Sequence, residues 1–178
     1  MLDARFLKTR QRYFDALEIL LKEQSFESIR ISDLVREAKT TRKTFYNHYQ
    51  DKIELIVDYQ EELTKEIFAI QKEHTQLNED YFYQIIVLLR QKGALLSALL
   101  NYNGSLELQS MIKSQMIESC LVMLSDKTLT RAKRHYQAHF MANAIFGTLQ
   151  YYLTLDYDRP SQEVAAIIAE LVASLHIL

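Results

Sequence analysis

Nine consecutive residues, Thr41-Arg42-Lys43-Thr44-Phe45-Tyr46-Asn47-His48-Tyr49, interleave cations, hydroxyls, an amide and an imidazole with aromatic rings. Wound into a helix from Arg42 to about Tyr49, the run turns Phe45 and Tyr49 inward. Arg42, Lys43, Thr44, Asn47 and His48 then face outward, with Tyr46 at the edge. Thr41 is placed to accept a hydrogen bond from the free N–H groups of the first turn. An exposed face made almost entirely of donors complements phosphate oxygens and the mostly accepting edges of bases. The same face on a helical adaptor would suit an acidic protein partner. The two readings part in salt, since phosphate binding weakens linearly on a log-log plot.

A donor face needs elements that hold it out. Tyr13, Leu17, Leu20 and Leu21 fall at the spacing of one buried helix face, which predicts a first helix over about 4–24. Phe26 and Ile29 are apolar plugs for the gap that follows. Ile31, Leu34, Val35 and Ala38 repeat the helical period for only two turns, and Lys39-Thr40 forms a short connector. Two short helices with a tight connector, the second exposing donors, match what insertion into a major groove requires. Asp51 is a cap for a long fourth helix over about 51–74. Further helices are expected at about 79–100, 104–125, 128–156 and 161–177, punctuated by Gly93, Asn101-Tyr102-Asn103-Gly104 and Arg159-Pro160-Ser161.

Composition agrees with an all-α chain. Three glycines and one proline in 178 residues leave little of the turn chemistry that hairpins need. A 48% hydrophobic and 25% charged content is ordinary for a globular protein. The net charge of −2 hides an asymmetry: residues 1–52 hold eleven Lys and Arg against eight Asp and Glu, +3, and the remainder ten against fifteen, −5. An anionic partner is thus expected at the N-terminal end. Cys120 stands alone, which rules out an intrachain disulfide and a Cys-rich zinc site and fits a reducing cytoplasm. No stretch has the roughly 18 uninterrupted apolar residues of a spanning helix, so no membrane association is expected.

The motif residues carry a specific resemblance. Ala16-Leu17, Phe26, Ile31-Ser32-Asp33-Leu34 and above all Thr41 to Tyr49 followed by Asp51-Lys52 make the chain resemble the TetR family of bacterial regulators over about residues 10–57. The family's recurring order of Thr, an apolar or aromatic residue, Tyr, any residue, His, an aromatic and a later Lys is present in full from Thr44 to Lys52. The resemblance implies that Thr44, Tyr46 and His48 hold the DNA backbone and that Lys52 adds a phosphate contact. Arg42, Lys43 and Asn47 would read bases, with Thr41 beside them and Ser32 contributing from the second helix. Two departures stand out: Lys39 occupies a connector position usually held by Gly, and Arg30 a helix-two cap usually held by Thr. A non-Gly residue at positive φ costs about 1 kcal/mol, so the connector is expected to shift its path. Ser25 also replaces a common Gly.

The same resemblance divides the chain into a helix-turn-helix DNA-binding domain, residues 1–50, and a helical effector-binding and dimerisation domain, residues 51–178. It implies a double-stranded DNA operator, a homodimer through about residues 128–178, and control by a small-molecule effector or a partner protein, most simply as a repressor released by that effector. Ala144, Ile145, Thr148, Leu149 and Tyr152, with Val164, Ala165, Ile168, Leu171, Val172 and Leu175, are the expected dimer stripes. No ligand residues are assigned; Tyr81, Phe82, Met111, Met116, Phe140, Met141 and Phe146 could line a cavity, although such a stripe is more often plain core. His135 and His139 are spaced i, i+4 without an obvious third ligand, so no metal and no cofactor are expected. Neither a convergent nucleophile and base nor a glycine-rich phosphate loop is present, so catalysis is not expected.

Overall fold

The computed structural model describes residues 4–74, 76–101, 104–124, 130–155 and 157–174. Among these, every regular element is a helix: α1 (Ala4–Leu21), α2 (Ile31–Glu37), α3 (Arg42–Tyr46), α4 (Lys52–Glu73), α5 (Glu79–Gln91), α6 (Gly93–Leu100), α7 (Leu106–Met123), α8 (Arg131–Leu155) and α9 (Ser161–Ser174). The starts follow local chemistry. Asp51 Oδ1 accepts from the amides of Ile53 (2.8 Å) and Glu54 (2.9 Å), while the Glu54 carboxylate receives the Gln50 amide at 2.5 Å. Asn78 and Ser105 cap α5 and α7 in the same manner. Arg30 makes no side-chain cap, so α2 begins without the hydrogen bond that a Thr would supply.

Helices α1, α2 and α3 close around Tyr13, Leu17, Phe26, Leu34 and Phe45, all essentially inaccessible to solvent. The Tyr13 and Phe45 rings meet edge to face at 5.3 Å, and Tyr13 meets Tyr49 at 6.2 Å. The expected plugs Phe26 and Ile29 are buried in the gap after α1. One apolar core continues from this head into the remaining helices, with α6 against α1, α9 against α5 and α8 against α7.

Two elements differ from expectation. The predicted helix over 79–100 is broken at Gly93, whose φ of +66° lets α5 and α6 turn through 100°. The last turn of α3 is not regular helix, although the amides of His48 and Tyr49 still bond the Phe45 carbonyl at 2.9 Å. The dimer stripes also need correction. Ile145, Leu149, Tyr152, Val164, Ala165, Ile168 and Val172 are buried within the chain, because α8 and α9 turn those residues onto α7 and α5. Leu175 lies outside the described residues. The large apolar groups left exposed on these helices are Tyr136, Phe140, Tyr151 and Leu155 on α8 and Ile167 and Leu171 on α9. No helix among the described residues is by itself long and apolar enough to cross a membrane.

The connector keeps its path despite lacking glycine. Lys39 sits at φ +52°, where the Lys39 amide bonds the Arg36 carbonyl (3.2 Å) and the Thr40 amide bonds that of Val35 (2.9 Å), a Schellman-type helix end. The expected shift of path is therefore replaced by retained strain. Lys39→Gly should stabilise the protein by about 1 kcal/mol, read as a higher midpoint in denaturant unfolding.

Candidate nucleic-acid interface

Helix α3 is seated by its apolar side and presented by its polar side. Phe45 is fully buried and Tyr49 nearly so, whereas Arg42, Lys43, Tyr46 and Asn47 are exposed and Thr44 and His48 half-buried. Truncating a buried aromatic of this kind to Ala typically costs about 3–5 kcal/mol, which is the scale of force holding α3 in place. Thr41 performs the expected cap: its Oγ1 accepts from the Thr44 amide at 3.1 Å and lies 2.9 Å from the Thr44 hydroxyl. The Tyr46 ring stands 56% exposed, edge-on to Phe45 at 5.7 Å, so its hydroxyl projects away from the core. His48 packs at 5.0 Å, edge to face, against Phe6 of α1. Seven of the predicted residues, Thr41, Arg42, Lys43, Thr44, Tyr46, Asn47 and His48, thus share one short segment. Ser32 is half-buried in the first turn of α2.

Lys52 has a second engagement. Its ammonium donates to the carbonyls of Phe26 (2.6 Å), Glu27 (2.9 Å) and Ile29 (3.0 Å) and sits 4.6 Å over the Phe26 ring. All three of its protons are directed into the α1–α2 corner. Burial lowers its pKa, against the opposing pull of Glu27 and Glu107.

Sequence reasoning missed the network beneath α3. The Tyr49 hydroxyl donates to Asp58 Oδ2 at 2.7 Å, and Arg10 of α1 reaches the same oxygen at 2.6 Å and Glu62 at 2.5 Å. Lys92, at the α5–α6 bend, bonds Glu62 (3.2 Å) and Glu66 (2.5 Å). Burial opposes the Arg10 charge, yet its hydrogen bonds to Asp58 and Glu62 leave its pKa raised. Burial likewise pushes Glu62 up, but hydrogen bonds from Arg10 and Lys92 outweigh it and hold the carboxyl below its usual range. Burial, reinforced by the bond to Asp58, drives the Tyr49 phenol up. The Asp58, Glu62, Glu66 spacing of four was visible in the sequence. Its cationic partners, 48 residues before Asp58 and 30 after Glu62, were not.

A second feature lies in the body. Helices α4 to α8 line an apolar cavity of about 90 Å³ that opens to solvent. Tyr81, Phe82, Met116 and Phe146 of the aromatic and methionine stripe line it. Met111 packs half-buried at the core, Met141 is core, and Phe140 points outward. Among the described residues no group of three or more His, Cys, Asp or Glu could hold a metal, and His135 and His139 are both exposed. Cys120 is buried, which pushes its thiol pKa up.

A braced two-helix unit that exposes donors beside a long helical body defines a helix-turn-helix DNA-binding regulator. Residues 14–59 match the bacterial regulatory proteins of the tetR family, and residues 76–174 match a transcriptional regulator C-terminal region. The chain belongs to the TetR family of transcriptional regulators, which are not enzymes. It is 27% identical over 171 residues to an uncharacterized HTH-type transcriptional regulator, YxbF, of Bacillus subtilis (strain 168), covering 92% of this chain and 44% of that protein. The chain thus spans less than half the length of this relative. Its fold is similar to that of a TetR transcriptional regulator from Streptococcus agalactiae 2603V, with a TM-score of 0.71, 19% identity and coverage of 94% and 95% of the two chains. The fatty acid degradation regulator FadR from Bacillus halodurans gives a TM-score of 0.67 at 12% identity, covering 92% and 94%.

Two measurements test the braces. Lys52→Met should cost about 1–3 kcal/mol of unfolding free energy in the absence of DNA, because three carbonyls lose a charged donor. Glu62 stabilises the fold above its unfolded pKa and loses that contribution as pH falls through its depressed folded value. The stability gap between wild type and Glu62→Gln should therefore be constant at neutral pH and shrink below about pH 4, measured by urea unfolding.

Proposed function

We propose that this regulator is a homodimeric repressor that binds an operator through α3 and is released when an effector occupies the body of the protein. Residues 1–50 serve as the DNA-binding head and residues 51–178 as the effector and dimer unit. The observation that carries the reading is the two-sidedness of α3, with Phe45 and Tyr49 buried while Arg42, Lys43, Tyr46 and Asn47 stand exposed. On this reading Thr44, Tyr46 and His48 hold phosphates, and Arg42, Lys43 and Asn47 reach base edges, with Thr41 and Ser32 at the margin. Lys52 acts on phosphate chiefly through the corner that it braces, since its three donors are directed to carbonyls. DNA as the target places the protein in the cytoplasm.

The dimer is assigned to residues about 128–178, on the outer faces of α8 and α9. Phe140, Ala144, Gly147, Tyr151 and Leu155 recur on one exposed side of α8, and Ile167 and Leu171 are exposed on α9. An added side chain at Gly147 would meet nothing within 4 Å, so a second helix has room to approach there. A two-fold pairing of two helices from each copy covers this face and sets the spacing of the two heads on a palindromic site.

Selection of bound duplexes from a random pool tests the assignment. Two half-sites related by two-fold symmetry are expected, with affinity falling linearly on a log-log salt plot. Arg42→Ala and Lys43→Ala should each relax base preference by about 1–3 kcal/mol at one position, whereas Tyr46→Phe should weaken all duplexes alike. Equal, sequence-blind losses from all three variants would remove the base-reading roles. Sedimentation should give a dimer at micromolar concentration that Gly147→Lys converts to a monomer.

A further inference from the structure

The wall of the cavity between α4, α5, α6, α7 and α8 contains no Asp, Glu, Lys, Arg or His among the described residues. Its depth is hydrocarbon and aromatic ring, with Leu63, Phe82, Leu96, Leu100, Phe146 and Leu149 in the lining. The polar residues of the lining, Thr64, Gln71, Tyr81, Gln115, Ser119 and Gln150, are neutral; Gln71 donates to the Tyr81 hydroxyl at 3.4 Å and Gln150 to the Leu100 carbonyl at 2.6 Å. Gln60 donates to the Thr64 hydroxyl at 2.7 Å, and the Gln115 carbonyl oxygen across from them on α7 receives only long contacts, 3.4 Å from Gln60 and 3.5 Å from Thr64. The amide N–H groups of Gln115 have no acceptor among the described residues, and Gln115 is exposed whereas Leu63 and Leu149 are buried. A hydrogen-bonding pair therefore stands at the outer edge of an apolar chamber.

Two cations come near without joining the wall. Lys72 lies 4.7 Å over the Phe68 ring and Lys113 lies 4.6 Å over the Phe146 ring. Each rests on an aromatic face, and neither ammonium lines the space. An ion carried into such a chamber would lose its hydration with no counter-charge to replace it, and that penalty is several kcal/mol even after relaxation. An apolar chain gains from every methylene that it brings in.

We propose that the cavity takes an electrically neutral, largely apolar small molecule whose single hydrogen-bonding group meets Gln115 and Thr64. This deepens the reading of the protein as an effector-controlled regulator and rests on it for the consequence of binding, but not for the binding itself. The cavity volume of about 90 Å³ lies below the roughly 300–1,000 Å³ of drug-sized pockets, so the ligand is a small one with a short apolar chain.

The test uses the full chain and three probes of one chain length: 1-octanol, octanoate and octylammonium, at neutral pH. Calorimetry should show saturable binding of the alcohol at least tenfold tighter than of either ion. Gln115→Leu, a change at an exposed position, should weaken the alcohol by about three- to tenfold while narrowing its advantage over the ions. Ile112→Trp should abolish binding of all three by filling the chamber. Octanoate or octylammonium binding as tightly as the alcohol overturns the proposal, and so does the absence of saturable binding by any probe. The same titrations on a protein–duplex complex separate the two readings. Preferred alcohol binding that leaves the duplex bound supports the ligand class and removes the effector reading; an ion that binds best and releases the duplex does the reverse.

Discussion

Helix α3 is too short to hold itself. A helix of five residues makes hardly more than one hydrogen-bonded turn, and a single turn does not recover the entropy of its own nucleation in water. What fixes it is the burial of Phe45 and Tyr49 against Tyr13, together with the Thr41 cap at its start. Everything proposed about recognition follows from that seat. With the aromatic side locked inward, the helical period leaves Arg42, Lys43, Tyr46 and Asn47 no direction but outward. A face held this way loses little further conformational freedom on meeting a ligand, which is what precise contact with a groove demands.

The seat is itself tied to the body by charge. Tyr49, Asp58, Arg10, Glu62 and Lys92 form a continuous chain of hydrogen bonds from the end of α3, across α4 and α1, to the bend between α5 and α6. Partly buried pairs of this sort add little net stability when set against hydrophobic packing, but breaking one partner leaves a charge without its complement. Their effect is on orientation. The head cannot swing freely about α4 without separating Arg10 from two carboxylates.

Helix α4 serves both ends of this arrangement. Asp58 and Glu62 lie on the side that faces Arg10, while Leu63, Thr64 and Ile67 lie on the side that lines the cavity. One helix thus carries the brace of the head on one face and part of the cavity wall on the other. Gly93 contributes at the far end, where its left-handed backbone lets α5 and α6 enclose the cavity from two directions. Lys39 shows the same backbone state held by a residue that does not favour it.

Much of this protein was legible in the residues alone. The all-helical class, the order of the elements, the Thr41 and Asp51 caps, the inward Phe45 and Tyr49 and the donor face of α3 all follow from local periodicity and short-range hydrogen bonding, which depend on neighbours within a few positions. What the chain could not announce was how its helices rotate about their own axes. Helices α8 and α9 are apolar on more than one side, so periodicity cannot say which stripe meets α7 and α5 and which is left bare; most of the residues first expected outside proved to be inner, while Ala144 and Leu171 are exposed. Long-range polar pairing was hidden for a related reason. Arg10 and Lys92 look like any surface cations until the fold brings them to Glu62, and Lys52 resembles a free ammonium until the α1–α2 corner closes its carbonyls around it. Local chemistry fixes what each helix is, and only packing decides which way it faces.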